Sequence, residues 1–89
     1  MMSLGSIGVL GAGQMGAGIA QVLAAGSHSV VLVDINQAAA DKGKAGIAKR
    51  LERAVSKGRT TETEAATLLE RIHPYGDMQQ FEGCSVVIE

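Results

Sequence analysis

The sequence predicts an α/β protein with a parallel sheet, and two observations support this fold class. Short apolar runs, each ended by a glycine or an acid, alternate with longer segments of helix-forming residues, the pattern of a sheet covered by helices. The 89 residues are 46% hydrophobic but only 2% aromatic and include 12 glycines, a composition that suits close packing of helices on a sheet. A chain of this length is within the range of one small domain.

The first strand, helix and strand are predicted from residue 6 onward. Residues 6–10 are an apolar run that ends at a glycine, which is typical of a buried strand. A helix is predicted over Gln14 to Ala25, and Gly26 is predicted to end it. Val30–Val33 is apolar and rich in β-branched residues, so it is predicted to be a second buried strand, which ends at Asp34. The apolar face of the helix is predicted to be Met15, Ile19, Val22 and Leu23.

Two helices are predicted between the second and third strands. Asn36 can cap a long amphipathic helix that continues to about Lys57 and is ended by Gly58. Thr61 and Glu64 form a capping-box pattern at the start of the next helix. The apolar faces are predicted to be Ile47, Leu51 and Val55 in the first helix and Leu68, Leu69 and Ile72 in the second.

The last quarter of the chain contains two further predicted strands. A short strand around 72–75 is restricted to a sheet edge or to a strand end by Pro74. Asp77 is predicted to cap a single turn that continues through Phe81, and residues 85–88 are predicted to form another buried strand. Because the sequence halts directly after that strand, we expect residues 1–89 to be the N-terminal part of a larger domain.

The segment Gly11–Gly16 matches the pattern GxGxxG, and its context gives this short motif its weight. It follows a predicted strand and opens a predicted helix, and Asp34 comes 18 residues after Gly16, close to the spacing of about 20 expected for a dinucleotide site. Gly11 permits the tight turn, Gly13 lets a pyrophosphate approach the backbone, and Gly16 lets the helix pack closely. The alternative is that these glycines serve only a strand-to-helix turn. It does not explain why the helix and the acid follow at the spacing expected for a dinucleotide site.

The motif and Asp34 together predict NAD as the cofactor. A helix N-terminus attracts the diphosphate through unpaired N–H groups and a partial positive charge. The Asp34 carboxylate can accept hydrogen bonds from ribose hydroxyls and repels the extra phosphate of NADP, and no arginine stands among residues 35–37. The predicted cofactor-binding residues are Gly11, Ala12, Gly13, Gln14, Met15, Gly16 and Asp34.

Charge and cysteine content argue against several other functions. A net charge of −1 and a pI near 6.1 give no basic field for nucleic acid or an anionic membrane. The single cysteine, Cys84, has no neighbours at metal-ligand spacing, so no metal site is predicted and Cys84 is assigned no role. No signal or transit peptide is visible, so we expect a cytoplasmic protein.

The run Ile7–Gln21, IGVLGAGQMGAGIAQ, resembles the 3-hydroxyacyl-CoA dehydrogenases, and the resemblance continues through Val30–Asp34, Val55–Gly58, Arg71–Ile72 and Val86–Glu89. It implies a partial Rossmann-type doubly wound sheet with a helical-pair insertion after the second strand. It also implies the NAD-dependent interconversion of 3-hydroxyacyl-CoA and 3-oxoacyl-CoA in fatty acid metabolism.

The resemblance also implies where the catalytic residues lie. The family's histidine base, its acid and the assisting Ser and Asn all correspond to positions beyond Glu89, so no catalytic residue is expected within this chain. Neither His28 nor His73 matches that base. We therefore expect the 89-residue chain by itself to be inactive, with a C-terminal helical domain that forms a homodimer following it in the parent enzyme.

Two basic residues are candidates for contact with the CoA substrate by the same resemblance. Lys57 matches a CoA-contacting lysine, and Arg50 stands where many members have a serine that contacts CoA. For each, the alternative is a solvated side chain on the helix surface. The chain also departs from the family at Ser27-His28, where Gly-His is usual and the glycine is displaced to Gly26, and at Ser85, where an acid is usual.

Two other functions remain open from the sequence. One is a different NAD-dependent β-hydroxyacid dehydrogenase, for which we would expect a shorter crossover than the 37 residues between Asp34 and Ile72. The other is a non-catalytic dinucleotide-binding module.

Overall fold

A computed structural model describes residues 6–88 of the chain. The elements in chain order are β1 (Ser6–Leu10), α1 (Gln14–Ala25), β2 (Val30–Val33), α2 (Gln37–Ser56), α3 (Glu62–Glu70), β3 (Ile72–Tyr75), a 3₁₀ helix (Met78–Gly83) and β4 (Cys84–Ile88). The strands are parallel and form one sheet in the order β3-β2-β1-β4. The chain moves outward from β1 to β3 and then returns to the other side of β1, as in a doubly wound sheet. The predicted fold class and the helical pair between β2 and β3 are confirmed.

The main core lies between the sheet and the three α-helices. Leu32 of β2, Ile47 of α2 and Ile72 of β3 are among its largest fully buried side chains. Leu51 is buried beside them, and Val55, Leu68 and Leu69 pack partly buried against the same cluster. The predicted apolar faces of α2 and α3 are therefore confirmed, except that Ile72 lies in β3 and not on the second helix.

The buried face of α1 differs from the predicted one. Its buried residues are Ala17, Ala20 and Ala24, whereas Met15 is 81% exposed and Val22 is 71% exposed. The prediction is wrong for these two residues, although Ile19 and Leu23 do pack partly buried against the core. Alanine side chains let a helix axis approach its neighbours closely, so α1 turns its small residues inward.

The two edge strands show one confirmed prediction and one error. β3 is an edge strand, as the proline within it required. β4 is also an edge strand, with Val86 55% and Val87 42% exposed, so the prediction of a buried strand is wrong. The reason is its position, because within residues 6–88 β4 has a strand neighbour on one side only. Among these described residues, no helix is long and apolar enough to cross a membrane.

Side-chain caps fix the helix starts where the sequence predicted them. The Asn36 Oδ1 accepts from the Ala39 N–H at 2.8 Å, and the Thr61 Oγ1 accepts from the Glu64 N–H at 3.1 Å. Asp77 caps the 3₁₀ helix in the same way, which continues two residues past the predicted end. Each cap satisfies one of the amides that a helix N-terminus leaves without a partner.

Serine, rather than glycine, takes the left-handed position after α1. Gly26 ends the helix with a φ of −83°, and Ser27 has a φ of +72°. The Ser27 N–H donates to the Ala24 carbonyl and the His28 N–H donates to the Leu23 carbonyl, both at 3.1 Å. These are the two bonds of a Schellman motif, in which the left-handed residue is usually glycine.

Ser27→Gly should therefore stabilise the fold. We expect the free energy of unfolding to rise by about 0.5–1 kcal/mol, because glycine lacks the Cβ that penalises a positive φ, while its greater freedom in the unfolded chain offsets part of the gain. Urea denaturation of the 89-residue chain measures this. Ser27→Ala keeps the Cβ and should show no gain, so equal stabilisation by both substitutions would contradict the explanation.

Candidate cofactor-binding site

The glycine-rich loop connects the carboxyl end of β1 to α1 in three residues. Gly11 has a φ of +96°, a conformation that side chains rarely permit, and its N–H donates to the Val33 carbonyl at 2.7 Å. Gly13 is the extended N-cap of α1, and its carbonyl accepts the first helical bond, from Ala17 at 2.8 Å. The loop is thus tied to β2 on one side and to the helix on the other.

The third motif glycine is required by contact with the first. A Cβ on Gly16 would overlap the Gly11 carbonyl oxygen and would lie 2.8 Å from the Gly11 carbonyl carbon. The nearest strand atom, Cγ1 of Val9, would be 3.7 Å away. Close packing was predicted for Gly16, but its main partner is the loop itself rather than the strands.

The N-terminus of α1 is open to an anion. Gly13 provides no capping side chain, and no acidic residue lies in the first turn. Helix geometry leaves the N–H groups of Gln14, Met15 and Gly16 without intrahelical partners. A Cβ built on Gly13 would meet no described atom within 4 Å, so a ligand can approach this backbone. These features suit a phosphate group.

Asp34 stands at the carboxyl end of β2, half-buried beside the loop. Its Oδ2 accepts from the Ala12 N–H at 2.7 Å and its Oδ1 accepts from the Ile35 N–H at 2.6 Å. These two bonds, of which that from Ala12 has the larger effect, lower the pKa of Asp34, so the carboxyl group is ionised at neutral pH. Each carboxylate oxygen retains a further acceptor position, so the pair can accept from two adjacent hydroxyls.

Ala12 differs from the other predicted cofactor-binding residues. It is only 6% exposed, and its N–H is used by Asp34. Its contribution is therefore to join the loop to Asp34, and the amides available to an anion are those of the first turn of α1. Sequence reasoning missed this link, because nothing in the motif indicates which loop amide the acid engages.

A cleft of about 470 Å³ lies between the loop and α2, and it contains Gly13, Asp34, Lys42 and Arg50 among its lining residues. A larger groove of about 1010 Å³ lies between α2 and α3. It contains none of the residues predicted to bind a cofactor or CoA. The smaller cleft is therefore the candidate site, since it joins an anion-binding helix end to an acceptor for hydroxyls.

The structure separates the two predicted CoA contacts. Arg50 faces α1, and its Nε donates to the Gln21 Oε1 at 3.0 Å. The Arg50 Nη2 is buried and has no hydrogen-bond partner among the described residues. Lys57 is the exposed C-cap of α2, about 10 Å farther along the helix axis at 1.5 Å per residue. Only Arg50 lines the cleft.

Comparison with known proteins points to the same family that the sequence resembles. Residues 6–89 match the family model described as 3-hydroxyacyl-CoA dehydrogenase, NAD binding domain. A probable 3-hydroxybutyryl-CoA dehydrogenase of Deinococcus radiodurans is 46% identical over 92% of this chain and 29% of its own length. The 3-hydroxyadipyl-CoA dehydrogenase of Escherichia coli is 36% identical over 100% of this chain and 19% of its own length.

Solved structures resemble the fold closely as well. The crystal structure of (S)-3-hydroxybutyryl-CoA dehydrogenase from Ralstonia eutropha superposes with a TM-score of 0.90 at 39% identity, over 96% of this chain and 30% of that one. The chain therefore spans less than a third of the length of each of these relatives.

Proposed function

Because this chain belongs to the 3-hydroxyacyl-CoA dehydrogenase family, in which it corresponds to the NAD-binding domain, we propose that it holds NAD for the interconversion of 3-hydroxyacyl-CoA and 3-oxoacyl-CoA. The Rossmann-type fold and the NAD-binding assignment follow from the family. The substrate and the reaction of the whole protein are the proposal, and they rest on the acyl-CoA names of the relatives.

The observation that carries the proposal is the joint position of Asp34 and the N-terminus of α1. The carboxylate can accept from the adenosine ribose hydroxyls, and the free amides of Gln14, Met15 and Gly16 can bind the diphosphate. Gly11 and Gly13 keep the backbone accessible between them. When bound, NAD supplies the acceptor for the hydride, while these residues bind and orient it.

Calorimetric titration of the 89-residue chain with NADH, and separately with NADPH, tests this proposal. We expect NADH to bind and NADPH to bind more weakly, because the Asp34 carboxylate repels a 2′-phosphate. A circular-dichroism melt of the same sample shows whether the chain is folded. A folded chain with no affinity for NADH would refute the proposed cofactor site.

The proposal extends to contacts with CoA by Arg50 and Lys57. A phosphate would satisfy the buried, unpartnered Nη2 of Arg50, and the exposed Lys57 ammonium can reach a phosphate outside the cleft. We expect Arg50→Met and Lys57→Met, which keep the apolar stems, each to weaken CoA binding about tenfold, in line with the lower end of the roughly 1.5–3 kcal/mol that a hydrogen bond to a charged group contributes.

Lys49→Met is the matched control for these two variants, because it removes an exposed lysine from the same helix. Calorimetry with CoA in low-salt buffer provides the comparison. An equal loss in all three variants would indicate a general effect of charge and would remove Arg50 and Lys57 as specific contacts.

The remaining expectations concern the protein beyond this domain. We propose that residues 1–89 form the N-terminal part of the NAD-binding domain, with the catalytic residues and a dimer-forming helical domain supplied elsewhere in the protein. Incubation of the 89-residue chain with NADH and acetoacetyl-CoA should accordingly give no turnover. The proposal includes a role in fatty acid metabolism, since acyl-CoA thioesters are the substrates in the relatives' names. It also includes a cytoplasmic location.

A further inference from the structure

A glycine in the middle of α2 lies directly against the glycine-rich loop. A Cβ on Gly43 would be 2.6 Å from the Ala12 Cβ and 2.7 Å from the Ala12 carbonyl oxygen. Both distances are too short for real atoms, and the second involves backbone, which cannot rotate away. Gly43 and Ala12 are both buried. Helix and loop therefore meet with no side chain on Gly43 between them.

This contact explains a residue that is unfavourable for the helix itself. Glycine in a helix interior weakens the helix relative to alanine. Gly46, one turn later on α2, would accept a Cβ without meeting any atom of residues 6–88 within 4 Å. The tertiary contact thus distinguishes Gly43 from a second glycine in the same helix.

Ala12 transmits the position of α2 to the cofactor site. Its N–H donates to the Asp34 Oδ2 at 2.7 Å, so displacement of Ala12 would break or bend this bond. The bond fixes one carboxylate oxygen and leaves a defined lone pair for a ligand hydroxyl. Arg50, farther along α2, donates to Gln21 of α1, which is a second link between α2 and the element that follows the loop.

We propose that Gly43 is a positioning residue for the cofactor: its lack of a side chain sets the position of Ala12 and, through the Ala12 N–H, the orientation of the Asp34 carboxylate toward the ribose. This inference rests on the proposed binding of NAD. It assigns to α2 a role in cofactor recognition besides the contacts with CoA proposed above.

Gly43→Ala tests the inference with two readouts. We expect NADH affinity, measured by calorimetry, to fall about tenfold. The pKa of Asp34, followed by NMR titration of its ¹³C carboxyl signal, should rise toward its usual value as the bond from Ala12 weakens. Ala45→Gly is the control, because it changes one methyl group at an exposed position of α2 outside the cleft, and it should change neither quantity. A folded Gly43→Ala chain with wild-type NADH affinity and an unchanged pKa of Asp34 would overturn the inference.

The double variant Ala12→Gly/Gly43→Ala addresses a Gly43→Ala chain that does not fold. It removes the closer of the two clashing atoms, whereas the Ala12 carbonyl oxygen would still lie 2.7 Å from the added Cβ, so we expect it to recover part of the stability and part of the NADH affinity lost in Gly43→Ala. A double variant that is no more stable than Gly43→Ala and binds NADH no better would contradict the role of the Ala12 side chain in this contact. Absence of NADH binding by the wild-type chain would refute the proposed function, whereas the Asp34 titration would still test the position of Ala12.

Discussion

Asp34→Ala should weaken NADH binding about 30-fold and narrow the preference for NADH over NADPH. The substitution removes the acceptor for two ribose hydroxyls, and hydrogen bonds to charged groups contribute about 1.5–3 kcal/mol, so a net loss near 2 kcal/mol is about 30-fold in affinity. It also leaves the Ala12 and Ile35 N–H groups without their present acceptor. NADPH binding should fall less, because the carboxylate that repels its 2′-phosphate is lost as well.

Asp34→Asn separates the effect of the negative charge of Asp34 from the effect of its side-chain shape, because asparagine has a similar shape and no charge. The amide keeps one oxygen, so it can accept from either Ala12 or Ile35 but not from both. We expect an NADH affinity between those of the wild-type chain and Asp34→Ala, with a smaller discrimination against NADPH. Calorimetry with both nucleotides measures each affinity. Unchanged affinity for both in Asp34→Ala would show that Asp34 is not the ribose ligand.

The lowered pKa of Asp34 fixes the pH range in which the site should work. The pKa is lowered by hydrogen bonds from Ala12 and then Ile35, so the contribution of these bonds is complete above the carboxyl's unfolded pKa. This contribution to the stability of the fold is lost as the pH falls through the pKa of Asp34 in the folded chain, which is lower still. NADH affinity should therefore be constant between about pH 5 and 8, since the carboxylate is ionised throughout, and a decline toward pH 5 would contradict this assignment.

Gly16→Ala should cost about 3 kcal/mol of unfolding free energy and reduce NADH affinity by about a hundredfold. Overpacking typically costs 1–3 kcal/mol, and the upper end applies because the added Cβ would overlap the carbonyl oxygen of Gly11, a backbone atom. Relief of the overlap must move the loop or the first turn of α1, and both carry the groups proposed to bind the diphosphate. Urea denaturation and calorimetry measure the two effects.

Gly18→Ala is the matched control for Gly16→Ala, because it adds the same methyl group two residues later in the same helix. A Cβ there would meet no described atom within 4 Å, so we expect a gain of about 0.5–1 kcal/mol from better helix propensity. Similar losses in both variants would indicate that α1 tolerates no alanine in its first half, and the specific contact with Gly11 would lose its support.

Local features of the sequence determined the fold class and the boundaries of its elements. Caps such as those of Asn36 and Thr61 act within three residues, and the runs that form β1 and β2 are continuous in sequence. The glycine pattern with Asp34 at the end of β2 likewise predicted the cofactor, because the order of strand, glycine loop, helix, strand and acid is itself linear. Family resemblance added the expectation of an acyl-CoA substrate.

Only the tertiary structure decided which residues of these elements are buried and which residues of different elements are in contact. It placed the alanines of α1 inward, although periodicity predicted a face with Met15 and Val22, and it left β4 partly exposed, although its apolar run predicted a buried strand. It joined Ala12 to Asp34 across 22 positions and Gln21 to Arg50 across 29, and it placed Gly43 against the loop. Periodicity and caps depend on residues that are neighbours within one turn or one strand. The contacts between elements depend instead on how closely two elements approach each other, and this distance is set by the side chains on both of the surfaces that meet.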